Sequence, residues 1–222
     1  MTKQGRPRKN SSARQSLAPP AGLIVTSLTL ATRNPHKTRE IQQLLGTSFE
    51  VCDLSTLPDL PEIIEDGATF AENAEIKALA VSRAYSGLVV ADDSGLEVDA
   101  MDGAPGVRSA RYAGEKATDQ QNIEKLLQEL RDCAPSGSDP RAARFRCVMA
   151  LARDGKFVRT VEGMVAGRVV EASRGTGGFG YDPIFQPDGY DKTFGELAAE
   201  TKNRISHRAR AVQNLRAYLS AF

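Results

Sequence analysis

Apolar and polar residues change period several times along this chain, and each change predicts an element. "LIVTSLTLAT" reads as a strand from Leu23, and "RNPHKTREIQQLL" follows as a loop and then a helix with Ile41, Leu44 and Leu45 on one face. Asn34 suits the N-cap, and Pro35 suits the first helical position, where no N–H is needed. Residues 49–54 read as a second strand. "TFAENAEIKALAVSRAYSG" predicts a helix opened by a capping box of Thr69 and Glu72 and stopped by Ser86-Gly87. The apolar run of residues 88–91 predicts a buried strand that ends in Asp92 and Asp93. "TDQQNIEKLLQELRD" predicts a helix capped by Thr118 and Gln121, with Ile123, Leu126, Leu127 and Leu130 facing inward. "CAPSGSDPR" is a loop, and "RFRCVMALARDGKFVRTVEGMV" is a hairpin that turns at Asp154-Gly155. A Gly-rich loop occupies residues 175–180, and a final helix starts near Ser206.

Strands and helices alternate early and a hairpin comes late. The expected fold is therefore α/β, a mixed central β-sheet flanked by helices. At 222 residues the chain can bury a proper core as one folded domain, residues 23–222, behind a leader, residues 1–22. No apolar run approaches the roughly 18 residues of a membrane-spanning helix, so a soluble protein is expected.

Charge changes the picture mainly at the start. Residues 1–20 hold Lys3, Arg6, Arg8, Lys9 and Arg14 and no acid. Without those five, the 29 basic residues fall to 24 against 28 acidic ones, so the body is mildly acidic. Nucleic-acid binding by the body is not expected. The leader has no hydrophobic stretch for a secretory signal; it is Arg- and Ser-rich and acid-free, and reads as disordered, with targeting or nucleic-acid contact as the alternatives. Cys52, Cys133 and Cys147 form no CxxC pair, which argues against a zinc site or a disulfide framework and suits a reduced, cytoplasmic setting. With only His36 and His207, any metal should be a hard cation held by carboxylates.

Four stretches offer chemistry. In "TLATRNPHK", a strand runs through a polar turn into a helix N-terminus, an arrangement that binds anions through free N–H groups. Lys37 in the first turn opposes the helix dipole and is best tolerated where an anion offsets both. In "LVVADDSGLEVDA", two carboxylates leave a core strand. They form either a solvated turn or, with Glu65, a magnesium site, since magnesium takes one or two protein carboxylates. On a straight strand Asp92 and Asp93 point to opposite faces, so one site would take both only if the chain bends at Ser94-Gly95. Lys77 lies one helical turn beyond Asn73 and could reach a phosphate. "GTGGFGYDPIF" places four glycines in six residues around Phe179 and Tyr181, and an aromatic there can stack on a base. In "TKNRISHRARAVQNL", Lys202, Arg204, His207 and Arg208 crowd a helix start. A bound electronegative group or a solvated basic end would explain them.

Taken in order, "ATRNPHK", "EDGATFAENAEIKA", "ADDSGLEVDAMDGAPGVRSARYAG", "GTGGFGYDPIF" and "SHRARA" resemble the inosine/xanthosine triphosphate pyrophosphatases, also called Ham1-like, which remove deaminated purine nucleotides. The resemblance extends from about Leu28 to the C-terminus. It implies two lobes around a nucleotide-binding cleft, a homodimer, and Mg2+-dependent hydrolysis of ITP, dITP and XTP to the monophosphate and pyrophosphate. By motif, it implies that Thr32, Arg33, Asn34, Pro35, His36 and Lys37 hold the phosphates, assisted by Lys77. Glu65 and Asp93 would bind the metal, with Asp93 as catalytic proton acceptor. Ser94, Phe179, Gly180, Tyr181, Asp182, Lys202, His207 and Arg208 would bind the nucleotide, largely at its base.

Arg33 departs from the family, which commonly has Gly there. A positive φ at that position would strain an arginine. Two rivals stay open at this stage. A pyrophosphatase of related fold acting on modified pyrimidines differs by its substrate panel. A non-enzymatic nucleotide sensor or RNA-binding module would have no need of Glu65 and Asp93.

Overall fold

The computed structural model describes residues 26–220 except 56, 58, 59, 62 and 134–138. The leader, the expected start of the first strand and most of the loop around residue 136 lie outside the described residues. Six strands form one sheet in the order β2-β1-β3-β4-β5-β6. These are β1 (Thr26–Leu30), β2 (Phe49–Asp53), β3 (Leu88–Val98), β4 (Ala142–Arg153), β5 (Lys156–Val169) and β6 (Phe185–Pro187). β1 runs parallel to β2 and β3, and every other neighbouring pair is antiparallel. The expected mixed sheet with flanking helices is therefore observed.

Capping chemistry sets the helices. In α1 (Pro35–Leu45), the Asn34 side chain accepts from the N–H groups of His36 and Lys37, and Pro35 opens the helix. Complete capping boxes start α2 (Phe70–Ala84) at Thr69 and Glu72, and α3 (Asp119–Asp132) at Thr118 and Gln121. The Asp154-Gly155 turn takes positive φ at both residues, which matches the right-handed twist of the hairpin it closes. Ser206 caps α5 (His207–Leu219), as its position suggests. A seven-residue helix, α4 (Ala199–Ile205), was not expected; it has no side-chain cap to announce it.

The longest departure from expectation is β3. It does not stop at Ala91 but pairs with β4 without a break from Leu88 to Val98. Asp92 and Asp93 sit in mid-strand, opposite Met149 and Val148, and Ser94-Gly95 makes no turn. Gly95 serves a different need. A Cβ there would overlap Ser109 and Gly106, so the short 3₁₀ turn at Gly106–Arg111 could not lie against the strand.

Alternation along β3 assigns its two faces. Val90 joins Ile41, Leu45, Val212 and Leu215 in a core between the sheet and α1 and α5. Val89 and Ala91 join Phe70, Ala74, Ala78 and Val81 in a core beneath α2. Beyond Asp93, Leu96 and Val98 belong to a third core with α3, Phe145, Tyr181 and Phe185. The first two cores make one lobe, the third makes the other, and β3 and β4 run through both.

Candidate active site

β1 pairs with β3 only as far as Leu30 and Val90. Past that point one edge of β3 is open, at the carboxyl end of the parallel strands and at the place where strand order changes, a position where α/β sheets commonly bind ligands. A cleft of about 670 Å³ lies there. Asp92 and Asp93 point to opposite faces, as strand alternation requires, yet both line this cleft because it wraps the open edge. No bend is needed.

Each carboxylate meets the helix on its own face. Asp92 pairs with Lys37 of α1 at 3.1 Å and with Arg208 of α5 at 3.2 Å. Asp93 pairs with Lys77 of α2 at 3.0 Å, and the same ammonium reaches Glu65 at 2.8 Å. Burial alone would raise the Asp92 carboxyl, but Lys37 and Arg208, then Lys77, more than offset it and hold the group far below the usual carboxylate range. Asp93 goes the other way: burial pushes it above its ordinary value, against the opposing pull of Lys77 and Lys37. Burial would lower the Lys77 ammonium, but Asp93 and Glu65 outweigh it and the group is raised. Asp92 is thus a fixed anion within a cation pair, and Asp93 is the more basic neighbour. Asp93 Oδ2 is buried with no hydrogen-bond partner.

The β1–α1 loop differs from the expected anion cradle. The N–H groups of His36 and Lys37 are not free, because Asn34 Oδ1 takes both at 2.9 and 3.3 Å. The backbone N–H of Asn34 donates to Thr32 Oγ1. Thr32, Arg33, Asn34 and Lys37 line the cleft; Pro35 and His36 are exposed beside it. Arg33 does not have positive φ, so it carries no strain. Its guanidinium donates to the carbonyls of Leu54 at 3.3 Å and Leu60 at 3.1 Å. The anion that makes Lys37 tolerable at a helix start is internal: Asp92.

Beside α1, the cleft is lined by the Gly-rich loop and the start of α5. Phe179 is half-buried; its ring stacks on His36 at 5.4 Å, with Lys202 Nζ and Arg208 Cζ at 5.1 and 5.5 Å. Asp182 Oδ2 accepts from the Phe179 N–H at 2.8 Å and from Lys202 at 2.6 Å. Gly178 at φ +74° lets this carboxylate approach, since a Cβ would overlap it. Tyr181 lines the cleft and is also 4% exposed, packed in the third core, where its hydroxyl donates to the Ser109 carbonyl at 2.9 Å. Burial raises the Asp182 carboxyl, against Lys202. Burial, then Arg208 and Lys202, holds the His207 imidazole well below its ordinary value, so the ring is neutral. His207 stacks on Phe145 at 4.7 Å, and its Nδ1 has no hydrogen-bond partner. Ser94 Oγ accepts from Arg208 at 3.0 Å.

Sequence reasoning overlooked several residues. Glu40 of α1 joins Lys202 at 2.7 Å and Arg208 at 2.6 Å. It therefore supplies much of the negative charge that the basic cluster was expected to draw from a ligand. Burial would raise its carboxyl, but Arg208 and Lys202 lower it on balance. Asp92, one of the two carboxylates that the sequence offers for a turn or a metal, instead holds Lys37 and Arg208. Asp119 accepts from the Gly180 N–H at 2.6 Å, and Arg111 donates to the Glu65 carbonyl at 3.3 Å. Nothing in local sequence signals these contacts, which join residues 46 to 168 positions apart.

Among the described residues no group of three or more His, Cys, Asp or Glu could hold a metal. Glu65 and Asp93 remain, two carboxylates joined through one ammonium. That donor set fits a hard divalent cation completed by waters and phosphate oxygens, and no softer one.

Comparison with known proteins gives one answer throughout. Residues 28–218 match the model of the Ham1 family. The chain is 46% identical to a dITP/XTP pyrophosphatase of Bacillus subtilis, covering 90% of this chain and 100% of that protein. It is 50% identical to one of Geobacillus kaustophilus, covering 85% and 91%. Among solved structures, a HAM1 protein from Coxiella burnetii superimposes with a TM-score of 0.79 at 38% identity, over 89% of this chain and 100% of that one. A nucleoside-triphosphatase/dITP/XTP pyrophosphatase from Mycobacterium abscessus gives 0.69 at 40% identity, over 86% and 98%.

Proposed function

The chain belongs to the Ham1 family, and from that premise we propose that it hydrolyses deaminated purine nucleoside triphosphates (ITP, dITP and XTP) to the monophosphate and pyrophosphate. The observation that carries the reading is Asp93, a buried carboxylate of raised basicity with one oxygen unpartnered. It stands between two cation-rich ends of a single cleft. The substrate runs from the Phe179 end, which takes the base, to the β1–α1 end, which takes the phosphates.

Pyrophosphate release requires water to attack the α-phosphorus while its bond to the bridging oxygen breaks. Asp93 Oδ2 accepts the proton of that water. Lys37 and Lys77 offset the charge that gathers on the phosphate oxygens. Glu65 and Asp93 would hold Mg2+, which when bound neutralises phosphate charge and lowers the pKa of water. At the base end, the Arg208 Nε, buried without a partner, donates to the purine O6. Neutral His207 and the Phe179 ring complete the pocket, with Ser94 and Asp182 fixing the cations. Adenine carries an amino donor where O6 would be, so it leaves a buried donor unpaired, at about 1–3 kcal/mol. The reading includes a homodimer in a reducing, cytoplasmic setting, with which three free cysteines agree.

The test is pyrophosphate release from dITP, ITP, XTP, ATP, GTP and dUTP with and without magnesium. Release from the first three alone, and only with the metal, is the expected result. Preference for dUTP, or no release from any, would overturn the reading.

A further inference from the structure

Asp119 occupies the first position of α3, where a carboxylate is explained by the helix dipole alone. Its second contact is not. Asp119 Oδ2 accepts from the backbone N–H of Gly180, 61 residues away, at 2.6 Å. Gly180 follows Phe179 in a loop whose glycines give the backbone little intrinsic preference for one conformation. Four contacts fix that turn: the Asp182 N–H donates to the Phe179 carbonyl at 3.2 Å, and three more involve side chains. Asp182 takes the Phe179 N–H from within the loop, Tyr181 reaches the Ser109 carbonyl, and Asp119 takes the Gly180 N–H from α3. The first and last of these three hold the peptide groups on either side of the Phe179 ring. A short hydrogen bond to an ionised acceptor is of the stronger kind.

We propose that Asp119 is a positioning residue that latches the Phe179–Gly180 peptide to α3 and so fixes the ring on which the nucleobase stacks. This deepens the proposed function and rests on it for the identity of the base. Stacking is present in ground and transition states alike, so its loss raises KM and leaves kcat in place. His36 touches the Phe179 ring, but Lys37 and Lys77, which meet the phosphates, are held by Asp92, Asp93 and Glu65 and not by the latched peptide.

Three variants separate this role from a dipole effect. Asp119→Ala loses charge and acceptor, Asp119→Asn keeps an acceptor, and Asp119→Glu keeps the charge but moves the carboxylate by one methylene. KM and kcat for dITP, inhibition by inorganic tripolyphosphate and amide exchange at Gly180 are measured for each. With Asp119→Ala, KM should rise about tenfold with kcat within twofold, tripolyphosphate inhibition should be unchanged, and Gly180 exchange should quicken at least tenfold. Asp119→Asn should restore most of the affinity and Asp119→Glu should not. The proposal is overturned if Asp119→Ala leaves KM and exchange as in wild type. It is equally overturned if Asp119→Glu matches wild type while Asp119→Asn is impaired, which is the dipole pattern. If wild type releases no pyrophosphate from dITP, the proposed function fails, and the exchange measurement still judges the latch.

Discussion

At the scale of single residues, two adjacent aspartates differ because strand alternation hands them to different helices. Asp92 meets Lys37 and Arg208, while Asp93 meets Lys77 alone and keeps one oxygen free. Asp93→Asn keeps the shape, removes the proton acceptor and leaves Lys77 its bond to Glu65. Turnover of dITP should be lost while nucleotide binding survives. A kcat within about tenfold of wild type, roughly 1.4 kcal/mol of barrier, would remove Asp93 from the chemistry. Arg208 calls for a gentler change. It is 2% exposed and holds Asp92 and Glu40, so truncation to Ala would take from each of two acids one of its two cation partners and leave a cavity. Arg208→Lys retains the charge and deletes the Nε donor. It should raise KM for ITP and shrink the ITP-to-ATP ratio of kcat/KM by about tenfold, with the magnesium requirement intact. An unchanged ratio would mean that Arg208 does not read the base.

At the scale of elements, what could be read in sequence was whatever local chemistry determines. Asn34-Pro35, the Thr69/Glu72 and Thr118/Gln121 boxes and Asp154-Gly155 each mark a boundary with a physical cause, and each boundary is where the structure has it. β3 was cut short because Asp92, Asp93 and Ser94 interrupt its apolar run, and only tertiary pairing with β4 shows that the strand continues. The site had the same division. Its motif residues converge on one cleft, but the partners that neutralise them come from remote elements. Glu40 is the plainest case, since it ties α1 to Lys202 of α4 and Arg208 of α5. Its folded pKa lies below the ordinary 4.5, so the stabilisation it gives is complete above that pH and is lost as pH falls through the lower folded value. Glu40→Gln should therefore melt below wild type at pH 6, with the gap closing as the pH is lowered below 4.5. Thermal melts whose gap stays constant over that range would show that the ion pair contributes no linkage.

At the scale of the whole molecule, one sheet carries two lobes, and among the described residues the cleft between them is lined from the body. Its lining runs from Ala31 to Arg208, and the family match begins at residue 28, beyond the basic leader. Six lining residues are cationic (Arg33, Lys37, Lys77, Arg111, Lys202 and Arg208) against five acids, a slight positive balance that suits the proposed triphosphate. A leader with five bases and no acid in its first twenty residues has no electrostatic reason to enter such a cleft. It also supplies no group that the proposed chemistry lacks. A chain that begins at residue 23 should keep kcat/KM for dITP within about twofold of the full-length protein, at low salt and at high. The comparison is most telling at low ionic strength, where the Debye length is about 30 Å and any attraction between leader and cleft is least screened. A tenfold fall there that vanishes in salt would mean that the leader reaches over the cleft and takes part in holding the triphosphate.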